Sequence, residues 1–157
     1  MKVGPTLDGG LRIDADDAAD WAVLRCIVLD ARGLPVDLAS RLGRLVGDEP
    51  EPGDWEEFVV PELRAQFDGQ LGLIGQSIEA ALGDDPDDGG SIMIGPEDAE
   101  AWYGALNQAR LALEGTHQLG GSAEGEPDRE DTERRSAFFR SQFYYAIQEL
   151  LLQFVMN

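Results

Sequence analysis

The chain has 157 residues, of which 31 are acidic and 12 are basic, and its formal net charge at pH 7 is −19. Its length suits one domain of ordinary size whose core is large enough to need no metal or disulfide bond. The negative charge argues against binding to nucleic acids or to anionic membranes, because both attract basic surfaces.

Cysteine usage and the absence of targeting signals indicate where the protein works. The single cysteine, Cys26, has no internal disulfide partner and lies inside an apolar run, which favours a small buried core residue over a reactive thiol. The first ten residues lack the apolar stretch of a signal peptide, and the chain has no run of about 18 apolar residues that could cross a membrane. We therefore expect a cytoplasmic protein.

The clearest helix signal begins at Pro96, after a short apolar strand at residues 92–94. Proline suits the first helical position, and Glu97 and Asp98 place negative charge at the positive end of the helix dipole. Apolar residues then recur at three- and four-residue spacing, which predicts one buried helix face. These residues are Ala99, Trp102, Leu106, Ala109 and Leu113.

A second strand is predicted at residues 11–13, after a tight turn at Gly9 and Gly10. This strand and residues 92–94 each lead into acidic residues and then, with the same spacing, a tryptophan. If the two strands pair, they form a small two-stranded sheet that brings the tryptophan-bearing helices side by side. The alternative is that acidic first turns are simply common in an acidic protein.

Three helices are predicted between these strands. Asp14 is positioned to cap the first helix, whose apolar run at residues 21–29 should be buried on most sides. Arg25 is the exception in this run and should reach the surface or a carboxylate. A short amphipathic helix is predicted at residues 36–46, and Pro61 should begin a longer one.

The helix after Pro61 carries an apolar stripe at helical spacing, formed by Leu63, Phe67, Leu71, Ile74, Ile78 and Leu82. Gly69, Gly72 and Gly75 lie three residues apart and would form a smooth strip. Each glycine costs about 1 kcal/mol relative to alanine in a helix. Either close packing against a neighbouring helix compensates for this cost, or the spacing reflects a glycine-rich composition.

The last predicted helix runs over residues 132–156. One apolar stripe consists of Phe139, Phe143, Ile147, Leu150 and Phe154, and Tyr144, Leu151 and Val155 lie beside it. A helix with so much apolar surface must be covered. It either closes the core, which we favour, or forms half of a homodimer interface.

The sequence therefore predicts a mainly α fold, a compact domain of about five helices with a minor two-stranded β element. We expect a single domain over residues 1–157. Flexible acidic connectors are expected near residues 47–53, 84–90 and 115–131, where acids, glycine and proline replace apolar periodicity.

No catalytic or metal-binding motif is present. His117 is the only histidine, which excludes a site with clustered histidines, and the acids at residues 84–88 lack the spacing of a calcium loop. The glycine pairs lack the spacing and the lysine of phosphate-binding loops. We therefore expect no enzyme activity, no metal and no cofactor. An acid-dependent hydrolase or a metal-binding enzyme is the alternative, because carboxylate pairs are frequent in this chain.

Two polar features remain. Asn107 and Arg110 lie one turn apart on a predicted helix, where they form a buried polar network, bind a partner carboxylate or face water. The densest positive charge comes from Arg129, Arg134, Arg135 and Arg140. This group either docks an acidic segment of a partner or pairs internally with Glu130, Asp131 and Glu133, and we favour internal pairing.

The leading functional hypothesis is a non-enzymatic protein–protein interaction or regulatory domain that acts through a helix face or groove. Its partner would be another protein or a second copy of the chain. The candidate interaction residues are Trp102, Tyr103, Asn107, Arg110, Arg134, Arg135 and Tyr144. An exposed apolar patch around Tyr103, Tyr144 or Tyr145 would support this hypothesis, whereas a deep pocket with several acids would favour the hydrolase.

The chain resembles a bacterial family known only as the domain of unknown function number two thousand and seventeen. The resemblance rests on Trp102, Ala105, Leu106, Asn107, Ala109, Arg110, Leu111 and Leu113, on Glu57, Phe58, Glu62 and Leu63, and on Tyr145, Ile147 and Leu150. It implies a small, mostly helical, cytoplasmic protein with no assigned catalytic residues. It also implies gene neighbours that encode a Clp protease adaptor, and hence a regulatory or interaction role linked to Clp-type proteolysis.

Overall fold

The structure, a computed structural model, describes residues 1–45, 55–119 and 131–157. The strands are β1 (Lys2–Pro5), β2 (Leu11–Ala15) and β3 (Gly90–Ile94), and the α-helices are α1 (Ala18–Ala31), α2 (Leu38–Leu45), α3 (Val60–Ala81), α4 (Ala99–His117) and α5 (Thr132–Phe154). A π-helical turn, Trp55–Val59, leads directly into α3, and a 3-10 turn, Pro86–Asp88, precedes β3. The described residues confirm a mainly α fold with five α-helices. The predicted connector at residues 47–53 and most of the one at 115–131 lie outside them.

The sheet has three antiparallel strands in the order β1-β2-β3, so the prediction of a two-stranded element is wrong. The predicted pairing itself is confirmed, because Leu11 of β2 lies opposite Ile94 of β3. The added strand, β1, joins β2 through a turn in which Gly9 has a φ of 85°, a conformation that favours glycine. Sequence reasoning misses β1 because Gly4 and Pro5 are poor strand formers.

One face of this sheet packs against the helices. Leu11, Ile13 and Ala15 are buried, while Arg12 between them is exposed, as expected where alternate side chains point to opposite faces. The buried strand residues share one core cluster with Trp21 of α1 and Trp102 of α4. Helix α1 packs against α4, so the two tryptophan-bearing helices lie side by side as predicted.

Helix α1 begins later than the sequence predicts. Asp14 is part of β2 and does not cap the helix, because the strand continues to Ala15. The cap is Asp17, whose carboxylate accepts hydrogen bonds from the backbone N–H groups of Ala19 and Asp20. A row of acidic residues leaves the capping position ambiguous in the sequence, since each of them is a suitable cap.

The outer side of α1 is less buried than its apolar run predicts. Arg25 reaches Glu79 of α3 at 2.7 Å, which confirms that it finds a carboxylate. Leu29, however, is 68% exposed. The apolar run of α1 is therefore covered on its core side only.

Helix α4 also begins later than predicted, at Ala99. Pro96 lies in a turn that is closed by a hydrogen bond from the Asp98 N–H to the Gly95 carbonyl at 3.1 Å, so it is not the first helical residue. The apolar stripe of this helix is confirmed, because all of its predicted members are buried. They are Ala99, Trp102, Leu106, Ala109 and Leu113.

Helix α5 packs against α4 and the sheet and closes the core. Its buried residues are Ala137, Tyr144, Ile147, Gln148 and Leu151. Phe139 and Phe154, which the predicted stripe includes, are 56% and 41% exposed, so that part of the prediction is wrong. Apolar side chains lie on more than one side of this helix, and periodicity alone does not choose between the sides.

The glycine strip of α3 is not a close-packed helix interface. Apart from the helix's own backbone, no atom lies within 4 Å of a Cβ built on Gly69 or Gly72. A Cβ on Gly75 would meet Val28 at 3.9 Å, an ordinary contact distance. These distances favour the alternative that the glycine spacing reflects a glycine-rich composition. Close packing does not compensate for the cost of glycine in this helix.

Alanine should therefore stabilise α3 at Gly69. We expect Gly69→Ala to raise the free energy of unfolding by about 1 kcal/mol, because alanine loses less backbone entropy in a helix. Gly90→Ala is the contrasting variant, since its Cβ would lie 2.9 Å from the Ala81 carbonyl oxygen and 2.9 Å from the Trp21 ring. Urea denaturation should show opposite signs for the two variants, and a loss of stability in Gly69→Ala would contradict the open space above that residue.

The outer face of the sheet carries a carboxylate whose effect on stability should depend on pH. Asp14 accepts hydrogen bonds from the Ser91 hydroxyl at 2.5 Å and from Arg12 at 2.6 Å. These bonds, that of Ser91 first, hold the pKa of Asp14 below its ordinary value. A carboxylate with a lowered folded-state pKa stabilises the fold above its unfolded pKa, and this contribution is lost as the pH falls through the folded pKa.

Asp14→Asn should consequently be less stable than the native chain at pH 7. The difference in the free energy of unfolding should shrink below about pH 4, because Asp14 then takes up a proton, first in the unfolded chain and at lower pH in the folded one. Urea denaturation of both proteins at neutral and acidic pH measures this difference. A deficit that stays constant across the whole range would show that the charge of Asp14 is not its cause.

Candidate functional site

A polar network joins α4 to α5. Arg110 donates from Nη1 to Oε1 of Gln148 at 2.7 Å, and Gln148 donates from Nε2 to the Tyr103 carbonyl oxygen at 3.2 Å. Gln148 is only 1% exposed, and both ends of its amide are bonded, which makes its burial tolerable. Gln148 therefore acts as a buried bridge that fixes the position of Arg110.

The bridged arginine supports an exposed aromatic ring. The Arg110 guanidinium carbon lies 4.8 Å from the ring centroid of Tyr145, a cation–π arrangement. Tyr145 is 44% exposed, and Leu152, two turns further along α5, is 41% exposed. Together with half-buried Arg110 of α4 they form a surface that we call the Tyr145 face. It consists of Arg110, Tyr145 and Leu152.

The structure separates Asn107 from Arg110. Arg110 joins a polar network, as one of the predicted alternatives has it, but its partner is Gln148, and Asn107 is exposed to water. A helical turn takes 3.6 residues, so residues three apart point in somewhat different directions. Because of this difference in direction, Arg110 faces α5 and Asn107 faces solvent.

Sequence reasoning misses Gln148, although a signal for it exists. Gln148 lies four residues after Tyr144 and three before Leu151, and both of these neighbours are buried. This spacing places the glutamine on the buried face of the helix. A polar residue at such a position must be bonded, so it marks a network within the core.

The arginines of α5 contact groups other than the local acids. Arg134 donates to the carbonyl oxygens of His117 and Gln118 at 3.0 and 3.2 Å, and so satisfies the C-terminal end of α4. The Arg135 guanidinium lies 5.6 Å from the ring centroid of Phe139. Pairing within the molecule is thus observed for Arg134, but with backbone carbonyls and not with the local acids that were expected. Arg129 and Glu130 lie outside the described residues.

A second polar cluster joins α5 to α1. Arg140 contacts both carboxylate oxygens of Asp30, at 2.8 and 3.0 Å, and the Tyr144 hydroxyl donates to Asp30 at 2.7 Å. The side chains of Asp30 and Arg140 are only 11% and 21% exposed. Burial and the bond to Asp30 raise the pKa of Tyr144. The cluster holds α5 against α1 through a half-buried charge pair.

Cys26 lies next to this cluster. Its side chain is half-buried, less than the sequence predicts. Burial is the main reason that the pKa of the thiol is raised, and the charge of Asp30 adds to the effect. A raised pKa reduces the thiolate fraction and therefore the nucleophilic reactivity.

Two of the seven candidate interaction residues need correction. Trp102 is 1% exposed and Tyr144 is fully buried, so neither side chain is accessible to a partner on the folded chain. Both lie on the core-facing stripes of their helices, where their size makes them major core residues. Tyr103 is half-buried, and its carbonyl belongs to the network of Gln148. Arg135 is exposed, outside the Tyr145 face.

Within residues 1–45, 55–119 and 131–157, no group of three or more histidine, cysteine or acidic side chains is placed to hold a metal ion. Over the same ranges, each helix is either too short or too polar to cross a membrane.

Residues 15–155 match a protein family described as a domain of unknown function, DUF2017. The chain belongs to this family. The match begins at the last residue of β2, so it leaves out β1 and includes all five described α-helices of the DUF2017 chain. It confirms the resemblance that the sequence around Trp102 indicates. No curated protein matches the DUF2017 chain, and no solved structure does.

The Asp30 cluster should be important for the stability of this DUF2017 protein. Arg140→Ala leaves the Asp30 carboxylate half-buried without its cation, which should lower the free energy of unfolding by about 2–3 kcal/mol. Tyr144→Phe removes one bond to the same carboxylate and should cost about 1–2 kcal/mol.

The matched control for Arg140→Ala is Arg25→Ala. Arg25 pairs with Glu79, but their side chains are 47% and 57% exposed. An exposed pair contributes less than about 1 kcal/mol, so Arg25→Ala should change stability little. Chemical denaturation of the variants tests the difference, and equal losses for the two arginines would disprove a special role for the Asp30 cluster.

Proposed function

We propose that this DUF2017 protein is a non-enzymatic interaction domain that binds a protein partner through the Tyr145 face. The observation that carries the proposal is the support of a half-exposed tyrosine by Arg110, which is itself fixed by buried Gln148. A side chain that is already held in place loses less entropy when a partner binds. The ring of Tyr145 is therefore preorganised for contact with a partner.

The composition of the face supports the same role. Tyrosine and arginine are among the residues that most often dominate binding energy in protein interfaces. Leu152 is 41% exposed, lies two turns from Tyr145 on the same helix and adds apolar surface to the exposed ring. An aromatic anchor beside apolar side chains can exclude water from the centre of a contact, and this is where binding energy concentrates.

The charge of the chain indicates the chemistry of the partner. The net charge of −19 attracts basic surfaces and repels acidic ones. Glu149 is exposed on α5 between Tyr145 and Leu152, about one turn from each. The partner we propose therefore carries a basic side chain next to an apolar or aromatic one. The alternative of a partner carboxylate on Arg110 is less favoured, because Nε of that arginine is buried and its guanidinium lies against the Tyr145 ring.

The family resemblance supports a regulatory setting for this interaction. The gene neighbours implied for the family favour a role in Clp-type proteolysis in the cytoplasm, where the bound protein would belong to that machinery. The proposal needs no catalytic residue in this chain.

Site-specific photo-crosslinking tests the interaction in cells of the native host. The photoreactive amino acid p-benzoylphenylalanine replaces Leu152 in the full chain, and the control carries it at Ala80, which is exposed on α3. We expect an adduct of defined mass from position 152 and none from position 80. The adduct should fall about tenfold when Tyr145→Ala or Arg110→Ala is added, as expected for central interface residues. It should also weaken when irradiation is repeated in extract at high salt.

The other outcomes of this experiment contradict the proposal. Equal adducts at both positions would indicate non-specific contact, and no adduct at position 152 would leave the face without a partner. A crosslinked product of two identical chains would replace the proposed partner with a second copy, and light scattering at several concentrations would then measure that homodimer.

A further inference from the structure

A cavity of about 210 Å³ lies where α1, α2, α3 and α4 meet, away from the residues of the Tyr145 face. Its lining combines apolar side chains, which include Leu34, Leu38, Phe67 and Leu71, with several charged or amide side chains. Small-molecule sites in proteins are typically concave, with apolar walls and a few polar groups that orient the ligand. The polar lining residues form two groups. Buried Gln108 forms the base of the cavity, and exposed charged residues form its rim.

The base is formed by Gln108, which is 4% exposed. Its Nε2 donates to Oε1 of Gln70 at 2.8 Å and to the Phe67 carbonyl oxygen at 3.3 Å. Gly104, one turn earlier on α4, makes room for Gln70, since a Cβ at that position would lie 2.5 Å from the Gln70 amide. The fold therefore places and orients a buried amide beside the apolar side chains of the lining, where an unbonded polar group would be costly.

The rim is electrically balanced. Arg64 and Asp37 pair at 3.0 Å with side chains about half exposed, and Arg64 also donates to the Ser40 hydroxyl. Arg32 and Asp68 are exposed and line the same cavity. Two cations and two carboxylates therefore surround this opening in a chain whose net charge is −19. A ligand that carries both charges finds partners for each of them, whereas a simple anion or cation would also meet charges of its own sign.

We propose that this cavity binds a small zwitterion with an apolar body, of the class of free α-amino acids with aliphatic side chains. The ligand carboxylate contacts Arg32 and Arg64, and the ammonium group contacts Asp37 and Asp68. The aliphatic side chain enters between the apolar walls, above the amide of Gln108. The cavity is smaller than the roughly 300–1,000 Å³ of sites for drug-sized ligands, which agrees with a ligand of this size. The inference is independent of the proposed protein interaction.

Isothermal titration calorimetry on the full chain tests the ligand class with three probes. L-leucine carries both charges, L-leucinamide lacks the carboxylate, and N-acetyl-L-leucine lacks the ammonium group. We expect L-leucine to bind with a Kd of about 1 mM or below. Each analogue should bind at least about tenfold more weakly, because it loses its hydrogen bonds to charged groups.

Variants at the rim test where the probe binds. Arg32→Gln and Asp68→Asn each remove one exposed charge from the rim and should weaken L-leucine binding about tenfold. Arg135→Gln removes an exposed charge on α5 and is the matched control, which should bind L-leucine like the native chain. Tyr145→Ala should also bind normally, so failure of the protein interaction would leave this result unaffected. Circular dichroism of each variant checks that the fold is intact.

Several results would overturn the proposal. One is the absence of binding heat with L-leucine at roughly 10 mM, a concentration that detects even weak complexes. Equal affinity for all three probes would show that the charges play no part. The bound amino acid would lie elsewhere if both rim variants bound L-leucine with native affinity. The same would follow if Arg135→Gln lost as much affinity for L-leucine as the rim variants.

Discussion

The pairing of β2 with β3 sets the arrangement of the helices. Each strand leads through a short turn into a helix with a buried tryptophan, and the pairing places Trp21 and Trp102 in one core. Neither strand is long enough to be stable alone, since isolated two-stranded ribbons are marginal in water. The helices stabilise the strands by covering their apolar face, and the strands fix the direction in which α1 and α4 leave the sheet.

Polar contacts decide how α5 joins this arrangement. Apolar side chains lie on several sides of α5, so hydrophobic burial alone would accept more than one rotation of the helix. In the observed rotation, Arg140 of α5 pairs with Asp30 on one side of the helix. On the other side, Gln148 of α5 accepts a hydrogen bond from Arg110. Leaving either group buried and unbonded would be costly. The same two contacts turn Tyr145 outward, so the surface of the candidate site follows from the packing of the core.

Much of the helical framework could be predicted from the sequence, because it depends on local periodicity. The stripe of α4 and the two paired strands are examples in which apolar spacing or flanking residues carry the information. The start of α1 could not be fixed, since Asp14, Asp16 and Asp17 are all suitable caps and the choice depends on where β2 ends. Only part of the candidate site could be predicted from the sequence. Asn107 and Arg110 could be singled out as polar residues one turn apart on a predicted helix. Gln148, the partner of Arg110, comes from another helix, and sequence spacing does not report contacts between helices.

The strand pairing also has a consequence for the order of folding. Leu11 and Ile94 are neighbours in the sheet, yet α1, α2 and α3 lie between them in the chain. Closing a loop of this length costs chain entropy before the contact contributes any stability, which slows folding compared with a helical bundle of local contacts. During synthesis, the apolar residues of β2 and α1 emerge from the ribosome well before β3 and α4 exist to cover them. The nascent chain must therefore remain soluble with this half of its core exposed, and the excess of acidic over basic residues in its N-terminal half helps to keep it so.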